Sequence, residues 1–314
     1  MTNLTGLPLT LAAGALRSPF KRPGRGGPGP GGSRRGGPGP AAPGRRLVAA
    51  DVRIDPARLG AYARVCGFPG RGPAPGPVPL PYPHVLAFPL AMRLMASRDF
   101  PLPLLGLVHT WIEVVQHRPL RPHERLELTV AVTGTAPHRR GTEATVTTGA
   151  RVAGEPVWES RSGYLARHRP PAPAVRPAAP DRPVQETPAP DHPVQEAPGR
   201  PRPAGPRAIA EWRLDAGLGR RYGAVSGDRN PIHLYPLTAR LFGYPRPVAH
   251  GMWTFARCLA EQDPAPHHVR VRAGFRAPVL LPARLTYAAG GDVFQLRDGD
   301  RVHLTGTVTS AARP

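Results

Sequence analysis

Hydrophobic and polar positions fall into two blocks along the 314-residue chain, and both blocks run through the same succession of patterns. Each opens with a strand-like run and a small helix: Leu47 to Ile54 then Leu59 to Cys66, and Ala208 to Leu214 then Gly217 to Ser226. An irregular proline-containing stretch follows. A longer helical segment comes next, Leu86 to Ala96 in the first block and Gly251 to Gln262 in the second. In the second, Met252, Phe255, Ala256 and Leu259 recur at helical spacing and mark one apolar stripe. In the first, Pro89 is expected in the opening turn, where a missing N–H costs little. Runs with strand periodicity follow each helix. They are Leu107 to Gln116, Arg125 to Thr133, Glu143 to Val152 and Val157 to Ala166, then His268 to Phe275, Ala283 to Ala288, Val293 to Leu296 and Val302 to Thr309. Asp298-Gly299 marks a hairpin turn between the last two. One long helix with an antiparallel sheet, occurring twice, is an α+β pattern.

Two segments interrupt the pattern and hold much of the chain's 45 Pro and 36 Gly. Residues 21–45 contain almost no large apolar side chain and cannot build a core; the fragment GGPGP occurs there twice, from Gly26 and from Gly36. The second segment carries a decapeptide repeat, APDRPVQETP from Ala179 and APDHPVQEAP from Ala189, too proline-rich for a solenoid unit. An unstructured loop of about 40 residues inside one domain is improbable. The expected organisation is therefore a disordered segment over 1–46, a folded half over 47–165, a linker over 166–207 and a second folded half over 208–314.

Net charge is +21, from 42 basic and 21 acidic residues, which raises nucleic acid as a partner. Three observations weigh against it. Lys21 is the only lysine, and an arginine-dominated, Pro/Ala/Gly-rich composition looks like biased codon usage. Part of the charge sits outside the folded halves, with eight basic residues and no acid in residues 1–50. Aromatic residues make up only 6%, and no arginine/aromatic stripe is present to stack bases. A moderately basic surface also suits a phosphate-bearing small molecule. No apolar run approaches the roughly 20 residues of a membrane helix, so no span is expected. Cys66 and Cys258 are too few for a disulfide scaffold and fit a reducing, cytoplasmic compartment. The mildly apolar stretch from Leu4 to Leu16 lacks the preceding basic residue of a secretory signal.

The most informative stretch is YGAVSGDRNPIHLYPLTARLFGYPRPVAHGM, from Tyr222 to Met252. Asp228 and His233 are separated by Asn230-Pro231, a dipeptide that disfavours a continuous helix and favours a tight turn. A turn brings a carboxylate and an imidazole to one point, and such a pair can hold water for acid/base addition. Ser226-Gly227 lets the chain leave the preceding helix, and Asn230 orders the turn through its own side chain. His250-Gly251 opens the apolar helix, whose free N–H groups offer an oxyanion site. Asp228 alone would be an ordinary turn former, and His233 or His250 alone an ordinary satisfied histidine. Asp228, His233 and His250 also supply donor types that zinc accepts, but no second carboxylate or cysteine lies at ligand spacing, so no metal is expected. Cys258 and the four tryptophans, Trp111, Trp158, Trp212 and Trp253, read as packing residues, and His267-His268 as surface.

SGDRNPIH, with seventeen residues from His233 to His250 in PVAHGM, resembles the hydratase motif of the MaoC-like family, the (R)-specific enoyl-CoA hydratases/dehydratases. The resemblance implies a double hot-dog fold, in which two antiparallel sheets each wrap a long helix. It implies that the second half is catalytic and that the first, which lacks the motif, is a degenerate acyl-binding partner. Asp228 and His233 fall on the catalytic pair, Asn230 on the residue that supports turn and water, and Gly251 on the glycine whose N–H binds the thioester oxygen. Ser226, His250 and Tyr222 are supporting residues, with core packing the alternative for Tyr222. The implied substrate is an acyl-CoA or acyl-carrier-protein thioester, with no cofactor and no metal, and a homodimer is compatible. Leu234 and Tyr235 depart from the acidic residue that many relatives carry after the motif histidine, and Trp253 and Phe255 are bulky where an acyl chain needs room. Two other functions compete. A hot-dog thioesterase needs a carboxylate on the long helix, where Glu261 is the candidate. A non-catalytic protein would bind acyl groups, or nucleic acid through the arginine-rich segments.

Overall fold

A computed structural model describes residues 45–69, 76–168, 205–264 and 267–310. Most of the expected segments 1–46 and 166–207 lie outside these residues. The first half comprises β1 (Arg46–Val52), α1 (Pro56–Cys66), α2 (Tyr82–Met95), β2 (Val108–Gln116), β3 (Leu126–His138), β4 (Gly141–Val152) and β5 (Glu155–Arg167). The second comprises β6 (Arg207–Leu214), α3 (Leu218–Ser226), a 3-10 turn at Pro231–His233, α4 (Pro236–Leu241), α5 (Gly251–Gln262), β7 (Val269–Phe275), β8 (Ala283–Gly290), β9 (Val293–Asp298) and β10 (Arg301–Ser310). Arg46 and Arg207 thus open strands and Arg167 closes one, where the sequence pattern placed all three in segments without structure.

The strands form one antiparallel sheet in the order β1-β3-β4-β5-β2-β7-β10-β9-β8-β6. Read outward from the centre, the two halves have the same topology. In each, the first strand lies at the outer edge, the second lies at the seam, and three consecutive strands fill the space between. This is an α+β double hot-dog.

The seam follows from the period-two pattern of β2 and β7. Ile112 pairs with Ala273, Val114 with Val271 and Gln116 with Val269, and all six are buried. The intervening residues point the other way, where Glu113 meets Arg270 at 3.3 Å and Arg272 at 3.1 Å. A slip of one residue would exchange the two faces, so the apolar alternation fixes the register. The edge strands are less regular. β1 shifts register against β3 between Ala49 and Val52, and β6 shifts against β8 between Ala208 and Ala210.

Helix α1 is capped by Asp55, whose Oδ1 accepts from Ala57 N–H at 2.8 Å, and it ends at Gly67. Helix α2 is buried on nearly every side and packs on β1, β3 and β4. It starts at Tyr82, earlier than the apolar pattern suggests, so Pro89 lies inside it rather than in its opening turn. The proline deprives the Val85 carbonyl of a helical donor, a cost that tertiary packing around α2 outweighs. Helix α5 has the bounds read from the sequence, but Trp253, Thr254 and Cys258 widen its buried face and Met252 is only half-buried. Helix α4 was not anticipated, because Leu237 and Leu241 are exposed and leave no apolar stripe to detect. The halves also interlock through helices. Arg58 Nε donates to the Val225 carbonyl at 2.8 Å, and Trp253 Nε1 to the Val65 carbonyl at 2.9 Å.

Cys66 and Cys258 are unpaired and buried, and burial pushes the Cys66 thiol up to about 12. Among the described residues no helix is long and apolar enough to cross a membrane.

The seam should dominate stability. Ile112→Ala, at a fully buried position, is expected to lower the unfolding free energy by roughly 2–5 kcal/mol. Val48→Ala, on the exposed side of β1, should change it by less than about 0.5 kcal/mol. Urea denaturation of both variants checks the contrast.

Candidate active site

The Asp228 turn is built by successive side chains, each fastening the backbone two residues on. Helix α3 ends at Ser226, and Gly227 takes a left-handed conformation (φ 84°) that reverses the chain. Ser226 Oγ accepts the Asp228 N–H at 3.1 Å. Asp228 Oδ1 accepts the Asn230 N–H at 3.1 Å, and Asn230 Oδ1 accepts the Ile232 N–H at 3.3 Å. Pro231 then opens the 3-10 turn, where no donor is needed, and the Asn230 carbonyl accepts the His233 N–H at 3.0 Å.

The turn lies directly on α3 because that face of the helix has no side chains. A Cβ on Gly219 would stand 1.9 Å from the His233 carbonyl oxygen, and one on Gly223 would stand 2.8 Å from the Asp228 carbonyl oxygen. The next strip of chain is fastened between the turn and the approach to β8. Val248 N–H donates to the Ile232 carbonyl at 3.0 Å, and Ala249 N–H to the Val279 carbonyl at 2.8 Å. His250 follows as the first residue before α5.

These constraints bring Asp228, His233 and His250 together, with ligand-type atoms all within 4.8 Å of one another. The two imidazoles stack at 3.7 Å with a 25° tilt. His233 Nδ1 donates to the Val248 carbonyl at 2.6 Å, so in the neutral ring Nε2 carries the free lone pair. His250 Nε2 donates to the Asp228 carbonyl at 2.9 Å and lies 3.9 Å from Asp228 Oδ2. Burial lowers the His233 pKa against the upward pull of the Asp228 charge. Burial, helped by the neighbouring His233, takes His250 down to about 3. Both rings are therefore neutral at ordinary pH. The three donors are within a cation's reach. However, ring lone pairs lie in the ring planes, and two stacked rings aim them side by side rather than at one point. The arrangement suits a hydrogen-bonded water better than a tetrahedral metal.

Gly251 opens α5 without a side-chain cap. The first bonds into the helix run from Trp253 and Thr254 N–H to the His250 carbonyl, which leaves the Gly251 N–H without an intrahelical partner. Tyr222 is buried, with its ring 4.8 Å from that of His250 and 6.1 Å from that of Tyr62, so it supports the site by packing. Trp253, hydrogen-bonded to Val65 and edge-on to Trp212, is a core residue. His267 and His268 are exposed, and β7 begins after them. Sequence reasoning missed Gly219 and Gly223, although their spacing of four within LGRRYG was readable. It also missed His84 and Tyr164 of the first half, which the Asp228 charge reaches.

Two outcomes follow. Gly219→Ala should destabilise the protein by about 1–3 kcal/mol, because the methyl group meets the His233 backbone. Without that contact, alanine would stabilise a helix by up to about 1 kcal/mol, so the sign of the change in thermal unfolding decides. Stability should also depend on pH. His84 and His250 are held near 4 and 3 when folded, against 6.5 otherwise, so below pH 6.5 the unfolded chain binds more protons. Stability is then full above pH 6.5 and falls with acidification, by about 1.4 kcal/mol per pH unit for each histidine. A flat unfolding midpoint between pH 7 and 5 would contradict this.

Comparison with known proteins agrees with the geometry. Residues 195–310 match the MaoC like domain. The 3-hydroxyacyl-thioester dehydratase X of Mycobacterium tuberculosis is 34% identical over 252 residues, covering 80% of this chain and 82% of that protein. Peroxisomal enoyl-CoA hydratase 2 of Arabidopsis thaliana is 35% identical over 66 residues, 19% of this chain and 21% of that protein. The crystal structure of HtdX of Mycobacterium tuberculosis superposes with a TM-score of 0.68 at 31% identity, covering 85% of this chain and 100% of that one. With the similarity to the dehydratase extending across both halves and the Asp-His turn intact within the matched domain, the chain belongs to the MaoC-like dehydratase family.

Proposed function

We propose that this protein is a hydro-lyase that reversibly adds water to trans-2-enoyl thioesters, giving (R)-3-hydroxyacyl thioesters of CoA or of an acyl-carrier protein. The observation that carries the reading is the Asp228 carboxylate beside the unprotonated Nε2 of a neutral His233, with the Gly251 amide following the clustered His250 at the start of α5.

Hydration needs a base for water, a proton source for C2 and a stabiliser for the enolate that forms between the two transfers. Asp228 and His233 both accept hydrogen bonds from one water and orient its oxygen toward C3. His233 takes a proton as that oxygen bonds to C3, and the C2=C3 electrons move toward the thioester. The Gly251 N–H holds the developing charge on the thioester oxygen. The His233 imidazolium, stabilised by the Asp228 charge, then delivers its proton to C2. Dehydration runs the same steps backward. The ledger closes on one water, so no cofactor enters. His250 serves by position, because its bond to the Asp228 carbonyl locks the turn against α5.

A thioesterase role is less well supported, because Glu261 is committed to Arg257 at 2.6 Å, ten residues beyond Gly251.

The test is loss of enoyl absorbance on adding the protein to trans-2-enoyl-CoAs of increasing length, then to enoyl-carrier proteins. Asp228→Asn should lower kcat by at least about a hundredfold. No turnover of either substrate type by the folded wild-type protein would sink the reading. The kcat/KM profile should be flat from pH 6.5 to 8 and fall in more acidic solution as His233 protonates. Because burial lowers the His233 pKa, the midpoint of that fall should lie below 6.5, and a midpoint above it would exclude His233 as the base.

A further inference from the structure

The first half has no Asp-His turn, yet it brings two histidines to the site. His84 lies in the first turn of α2, only 8% exposed, and His109 lies near the start of β2. Their rings are nearly parallel (9°), with centroids 6.1 Å apart. Tyr164, paired with His109 across β2 and β5, stacks on His109 at 4.7 Å. Phe275 of β7 meets His109 at 4.9 Å. The Phe275 ring also lies 3.1 Å from where a Cβ on Gly251 would stand. The cluster thus borders the Gly251 amide through Phe275, and the Asp228 charge acts on both His84 and Tyr164. An acyl chain with its thioester carbonyl at Gly251 and C3 at Asp228 and His233 would have this cluster beside it.

A surface meant for plain hydrocarbon would be apolar here. Instead, His84 Nδ1 and His109 Nε2 are buried without a hydrogen-bond partner among the described residues. An unpaired buried polar atom is costly, and a ligand group that pairs with it is correspondingly favoured. A backbone hydrogen bond to Trp111 raises the basicity of His109, as donation to a carbonyl does, so Nε2 is its accepting nitrogen. Burial holds His84 near 4 and His109 near 3, and uncharged rings do not attract a carboxylate. A hydroxyl suits either nitrogen, since it donates to His109 Nε2 and can donate to or accept from His84 Nδ1.

Resting on the hydratase reading above, we propose that His84 and His109 set acyl specificity, selecting enoyl thioesters with a hydroxyl a few carbons beyond the reacting double bond over plain alkyl chains of equal length. Both are specificity residues and neither takes part in proton transfer.

The experiment compares kcat/KM of the full chain on trans-2-hexenoyl-CoA and 5-hydroxy-trans-2-hexenoyl-CoA. The wild-type protein should favour the hydroxylated substrate by about tenfold. His109→Leu and His84→Leu should each lower kcat/KM on the hydroxylated substrate by about tenfold more than on the plain one, which abolishes the preference. His109→Gln and His84→Asn, which place an amide near the lost nitrogen, should restore part of it. Turnover of both substrates with no wild-type preference would overturn this proposal alone. Equal losses on both substrates in the leucine variants, with no rescue by the amides, would reduce the pair to packing. Should the leucine variants fail to fold, the wild-type ratio and the amide variants still decide. Turnover of neither substrate, nor of carrier-protein versions, by the wild-type protein would remove the hydratase reading itself.

Discussion

The pairing of β2 with β7 is the constraint on which the rest depends. Each half-sheet ends at that line in a strand that is apolar on one face, and neither strand can bury its face alone. Joining them closes one core across both halves and sets which residues meet there. Trp111 pairs with Gly274, so the neighbouring His109 and Phe275 arrive at the same end of the seam, beside the start of α5. The site is therefore a property of the whole sheet. The second half supplies the Asp228–His233 turn, and the first brings His84 and Tyr164 within reach of the Asp228 charge.

How much of this was legible depends on how far apart the interacting residues lie. Most strands alternate, and their ends fell within five residues of the reading; the turn from Asp228 to His233 is local, and its spacing announces it. Helix α4 was hidden because its apolar residues face outward, and Pro89 misled because burial overrode a local preference. His84, His109 and Tyr164 gave no signal at all. Nothing near them in sequence marks them, and they acquire meaning only once β2 and β7 are placed side by side. The Gly219 and Gly223 pair is an intermediate case: the spacing was visible, but its purpose needed the position of the His233 backbone.

Electrostatically the site is unusual in holding neutral imidazoles around one carboxylate. Water-excluding surroundings disfavour charge on His84, His233 and His250, while Asp228 opposes that effect at each. The balance leaves His233 neutral, with its Nε2 lone pair free and the Asp228 carboxylate beside it. Packing provides this balance: α3 without side chains toward the turn, Val248 fixing the His233 tautomer, and stacked rings excluding solvent from each other.

The irregular edge strands bear on how copies of the chain behave at high concentration. A ten-stranded sheet whose edge strands β1 and β6 each have one strand neighbour among the described residues is a template for end-to-end polymer growth, and Val48 and Ile209 expose apolar surface there. Both edges interrupt their own ladder. On β1, Asp51 takes a left-handed conformation (φ 55°) within the register shift and pairs with Arg125 at 2.7 Å, and β6 slips between Ala208 and Ala210. An incoming strand would find a bent, charged rim with its hydrogen-bonding groups out of phase. The broken register thus works against the addition of a further strand in phase with either edge.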